Sequence, residues 1–106
     1  MIVVSSSTIA GKKITETIGM ATGSTIRARH LGKDIIAGLK NLVGGEIEEY
    51  TKLMAEAREQ ALDRMVDHAQ TLGANAIVDA QFTTSYLQGA ASEVLVFGTA
   101  VKVEDE

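Results

Sequence analysis

The sequence predicts an α+β subunit of two layers, β-β-α-α-β-β in chain order, with a long helix packed on a small, mainly antiparallel sheet. Three observations predict it. Apolar residues recur at intervals of three and four from Ile47 to Leu72, the period of a helix. Alternating or doubly apolar runs over residues 14–29, 75–85 and 93–103 have the period of strands. Proline is absent, so the ten glycines, with Asn, Asp and Ser, must make the turns and mark the element boundaries.

A short first strand is expected from about Ile2 to Ser6, ended before Gly11. The second strand runs from Ile14 to Arg29. Ile14, Ile18, Met20, Ile26 and Ala28 share one parity and are the expected buried face. Glu16 falls on that face and marks an end or an edge. The other face carries Gly19, Ala21 and Gly23, small enough for another backbone to come close. Either a solvated face or a subunit contact fits that pattern. Leu31, Ile35, Leu39 and Leu42 then place a helix over Leu31–Val43, stopped by Gly44-Gly45.

The long helix starts near Glu46. Glu46, Glu48 and Glu49 complement the positive helix terminus. Ile47, Tyr50, Met54, Ala57, Ala61, Met65, Ala69 and Leu72 make its apolar stripe, and Gly73 stops it. Its length of ~40 Å exceeds what a domain with a radius of gyration near ~13 Å contains comfortably. It must cross the whole sheet or project toward a neighbour. Two strands follow, near Asn75–Ser85 and Glu93–Val103, with a break at Gln88-Gly89. The last is apolar on both faces and reads as a central or doubly covered strand.

A chain of 106 residues is read as one domain, 1–106. Tyr50, Phe82, Tyr86 and Phe97 are its only aromatics, so the core gains little from rings, and self-association would add buried apolar area. The net charge is −4 with no basic block, which argues against nucleic acid as a partner. There is no cysteine, hence no disulfide and no thiolate chemistry. The opening Met1-Ile2-Val3-Val4 has no basic leader. The longest apolar run, Val94–Val101, contains Gly98 and Thr99 and is far below the ~20 residues that span a bilayer. A cytoplasmic protein without a membrane partner is expected.

Candidate chemistry is sparse. His30 and His68 are the only histidines, and neither belongs to a paired-ligand spacing. A cationic His68 near a helix C-terminus has a full structural explanation in the dipole. Glu56, Glu59, Asp63 and Asp67 form one helical stripe, read as a solvated face. Ser5-Ser6-Ser7-Thr8 lacks a nucleophile elbow and reads as a strand-ending loop. Arg58 lies beside the apolar stripe, where snorkelling or pairing with a carboxylate outweighs anion recognition.

The stretch GGEIEEYTKLMAEAREQALDRMVDHAQTLGANAIV, preceded by LGKDIIAGLKNLV, resembles the signature region of the YbjQ-like family, which carries a heavy-metal-binding label. Gly44-Gly45-Glu46, Tyr50, Ala57-Arg58, Ala61, Ala69 and Gly73-Ala74-Asn75-Ala76 carry the resemblance, which extends over essentially the whole chain. It implies a dodecin-like subunit that assembles with itself into a ring, a homopentamer. The first reading is a non-catalytic homo-oligomeric binding or scaffold protein, not an enzyme. The alternative is a divalent metal held between subunits, with His30, His68 and Glu46 as candidate ligands. Without cysteine only His, carboxylate and Met sulfur remain to hold it. The third is a small-ligand or catalytic cleft near Arg58 and Tyr50. No cofactor is identifiable.

Overall fold

The elements are β1 (Ile2–Val3), β2 (Lys12–Thr25), α1 (Gly45–Thr71), β3 (Ala76–Leu87) and β4 (Ala90–Asp105). The computed structural model describes residues 1–26, 45–87 and 90–106. The helix expected over Leu31–Val43, His30 and the break at Gln88-Gly89 lie outside them. The four strands form one sheet in the order β1-β3-β4-β2, parallel between β1 and β3 and antiparallel elsewhere. The expected α+β arrangement of a long helix on a small, mainly antiparallel sheet is therefore present.

α1 ends as the glycine stop predicts. Gly73 takes φ +86°, a left-handed conformation that costs least without a Cβ. The Ala74 amide donates to the Ala69 carbonyl at 3.0 Å and the Gly73 amide to the Gln70 carbonyl at 3.0 Å. These are the two bonds of a Schellman motif, and they satisfy carbonyls the helix would leave orphaned. Asn75 then does more than turn. Its amide nitrogen donates to the Val103 carbonyl at 3.0 Å and its Oδ1 accepts from the Val103 amide at 2.8 Å. The side chain imitates one more pair of the β3–β4 ladder.

The helix buries Ala57, Ala61, Met65 and Ala69, each at most 2 % exposed and four residues apart. The fully buried helix side chains are three alanine methyls and one thioether, with Met54, Leu62 and Val66 packed beside them, so the two layers meet closely. On the sheet side Ala21, Val94, Val96 and Ala100 complete this cluster. Met65 is fully buried, which favours folding by about 1.5–3 kcal/mol relative to exposure. Leu72, the expected end of the stripe, lies beyond the last helical residue and is 38 % exposed.

The face assignment in β2 is the reverse of the expected one. Met20 is 68 %, Ile26 49 % and Ile14 40 % exposed, whereas Ala21, Gly23 and Thr25 are buried. The reason is steric. A Cβ on Gly23 would lie 2.1 Å from the Ala61 carbonyl oxygen, so the small face is where α1 rests. α1 covers Ala21 and Gly23, while Gly19 has nothing within 4 Å of where a Cβ would lie. Register shifts between Ile14 and Glu16 and between Thr17 and Gly19 also break the alternation, and Ile18 packs toward the helix cluster.

The far side of the sheet holds a second small cluster, Ala76, Val78, Val101 and Val103, covered by Val4 and Ile9 of the N-terminal segment. This explains why β4 is apolar on both faces. It is flanked by β3 and β2, with α1 on one side and the N-terminal segment on the other. The molecule is elongated, 55 × 22 × 16 Å, with a radius of gyration of 16.8 Å. A compact chain of this length has ~13 Å.

Candidate functional site

The densest set of side-chain chemistry lies where α1 passes over the C-terminal half of β2. Gln60, Arg64 and His68 are spaced four residues apart and so share one side of the helix. Each meets β2. The Thr25 hydroxyl donates to Gln60 Oε1 at 2.6 Å. Arg64 Nη1 donates to the Ser24 carbonyl at 2.6 Å and reaches the Thr25 hydroxyl at 3.4 Å. The Thr22 amide donates to His68 Nδ1 at 3.1 Å. Thr25 is 2 % exposed, and its partners explain why a hydroxyl sits in the core wall.

Alternate residues of an antiparallel strand turn their amide and carbonyl groups to the same side. Thr22 and Ser24 have that relation, and among the described residues β2 has a strand partner only in β4. The groups held by His68 and Arg64 are thus on the outer edge of the sheet. The ladder satisfies an edge that would otherwise be open to another strand.

A second polar spot lies at the bulge of β3 between Val78 and Gln81. Asp79 has φ +54°, and its carboxylate accepts from Ser7 Oγ at 2.8 Å. Its amide donates to the Ser6 carbonyl at 2.9 Å. Gly98 lies across from the bulge, where a Cβ would come within 2.7 Å of Ile77. The serine run therefore ties the N-terminal segment to a bulge. A nucleophilic serine also needs a base poised to take its proton and an oxyanion donor set. The described imidazole is engaged with Thr22.

An open groove of about 400 Å³ is lined by Thr8, Ile9, Gly11, Lys12, Ile14 and Glu106. Lys12 makes a salt bridge to Asp105 beside it. Its hydrogen bond and positive charge hold the Asp105 carboxyl below the ordinary value of 3.8.

The candidates read from the sequence are scattered. Arg58 is exposed on α1 next to buried Ala57. Tyr50 and Glu46 belong to the first two turns of α1. At 1.5 Å per residue, Tyr50 is ~12 Å from Arg58 along the axis, and Glu46 is ~33 Å from His68. One subunit cannot bring Glu46 and His68 to one ion. Glu59, Asp63 and Asp67 are exposed, as a solvated stripe requires. Among the described residues no group of three His, Cys, Asp or Glu side chains could hold a metal. Gln60 and Thr25 do not stand out in the sequence. The one signal for the ladder is three long polar residues at four-residue spacing, flanking the alanine stripe.

The family model described as "Putative heavy-metal-binding" matches residues 1–104. The chain belongs to this family, the YbjQ family. It is 55 % identical to a UPF0145 protein of Methanosarcina acetivorans, covering 97 % of each chain. It is also 55 % identical to one from Pyrococcus furiosus, over 100 % of this chain and 93 % of the relative. A Photobacterium profundum relative is 50 % identical, over 97 % of this chain and 100 % of its own. The crystal structure of a DUF74-family protein of unknown function from Pediococcus pentosaceus superposes with a TM-score of 0.51 at 18 % identity, covering 100 % of this chain and 98 % of that one. That likeness concerns the fold alone.

The metal in the YbjQ family description finds no fit among the described residues. Soft metals select thiolates, and the chain has none. The described histidine has one ring nitrogen bonded to backbone. No helix of the described residues is long and apolar enough to cross a membrane.

Proposed function

We propose that this chain is a non-catalytic subunit of a homo-oligomeric binding or scaffold protein that closes into a ring in the cytoplasm, with five copies as the YbjQ-family resemblance implies. The observation that carries the proposal is a set of exposed apolar side chains on an elongated subunit. Met20, Ile14 and Ile26, on the side of the sheet away from α1, are 40–68 % exposed, and Phe82, on the α1 side of β3, is 47 % exposed, on a chain with a small core. Among the described residues, β3 beyond Ala80 and β2 from Lys12 to Met20 have no strand on their outer sides. Joining the edge of β3 in one copy to that of β2 in the next is a head-to-tail contact, and such contacts form rings when the rotation closes. Met20→Glu is exposed in the isolated subunit and should leave it folded. It is expected to weaken assembly at least tenfold, read as dissociation on dilution. Unchanged assembly would count against this face.

A metal held between copies is the second reading, favoured by the family description. The ~33 Å between Glu46 and His68 along α1 means that any site using both draws on two copies. Calorimetry with zinc, nickel, copper and calcium tests it, and absence of heat for all of them retires it.

A further inference from the structure

We infer that His68 is the acceptor that fastens α1 to the outer edge of β2, with its proton on Nε2, and that its ring is closed to a metal ion while the subunit is folded. A backbone amide has a hydrogen to give and no lone pair to offer. At 3.1 Å from Thr22 N, His68 Nδ1 must therefore present its lone pair. A neutral imidazole carries one N–H, so the proton is on Nε2.

Both routes to metal ligation through this ring then fail. Ligation through Nδ1 needs the position that the Thr22 amide occupies. Ligation through Nε2 needs its lone pair, which moves the ring proton to Nδ1 and sets it against the Thr22 N–H. Either way the bond between α1 and β2 breaks. His68 is half-buried, and Arg64, one turn earlier, holds the Ser24 carbonyl on the same edge. The ring is thus one of two adjacent clamps, built from residues 40 and 46 positions away from their partners. The heavy-metal description of the family does not extend to this histidine, and the inference stands whether or not copies assemble.

The test is nitrogen-15 NMR of the imidazole in the full chain, before and after adding zinc or cadmium. The expected spectrum is that of the Nε2–H tautomer, with the His68 ring and Thr22 amide signals unmoved at one equivalent of metal. An Nδ1–H tautomer, or a His68 shift that saturates with metal, would overturn the inference. Two variants add a second readout. His68→Asn keeps an acceptor near the Nδ1 position and is expected to preserve slow exchange of the Thr22 amide. His68→Ala removes the acceptor, and exchange there should accelerate by about tenfold, the scale of one hydrogen bond. Equal exchange in wild type and His68→Ala would also contradict it.

Discussion

Gly23 lies directly against the backbone of α1, so that a Cβ there would fall 2.1 Å from the Ala61 carbonyl oxygen and 2.4 Å from the Met65 amide nitrogen. Both are backbone atoms of a helix and cannot swing aside. Overpacking a core costs about 1–3 kcal/mol where side chains can adjust, and more where they cannot. Gly23→Ala should lose about 3 kcal/mol or more in denaturant unfolding. A loss under ~1 kcal/mol would mean that α1 does not sit on this strand as described.

Asn75 gives a second, independent handle. Its side chain makes both bonds of a ladder pair with Val103. Asn75→Ala leaves an amide and a carbonyl of β4 without these partners, at a cost of about 1–3 kcal/mol. Asn75→Asp keeps the acceptor but points a carboxylate oxygen at the Val103 carbonyl, so it should not rescue. Full stability in the Asp variant would refute the ladder-mimic role.

Gly73 holds φ +86° in the helix-ending motif. An alanine in the left-handed region costs roughly 1–2 kcal/mol. Gly73→Ala should therefore lower the unfolding free energy by that amount while leaving circular dichroism unchanged. Asparagine, which tolerates this region better, should cost less.

Asp105 gives a handle on pH. Lys12, by hydrogen bond and by charge, lowers its carboxyl from 3.8. A depressed carboxyl contributes stability above its unfolded value and loses it as pH falls through the folded value. The pair is exposed, so the effect on stability is small. Carbon-13 titration should find Asp105 below 3.8, and Lys12→Ala should raise it. No change on removing Lys12 would contradict the pairing.

Most elements were legible because their signals are local. Gly73 announces the end of α1, and the alanine stripe at 57, 61 and 69 announces its buried side. The burial of β2 was not, because the usual rule that larger apolar residues point inward fails here. A helix lying on backbone needs Gly23 and Ala21 beneath it, which sends Met20 outward. The same smallness invites the reading of a subunit contact, and only the three-dimensional partner distinguishes them. His68 shows the other limit. The helix dipole gives it a local explanation, while its amide partner, Thr22, is 46 residues away and leaves no trace in the nearby sequence. Arg64 likewise meets a carbonyl, which no residue identity at Ser24 could have disclosed.

The central claim is that this subunit exists to assemble with itself, and its solution mass tests that most directly. Light scattering or native mass spectrometry of the unmodified chain should give about five times the 11.2 kDa subunit, stable to dilution. A single species at 11.2 kDa would contradict the account.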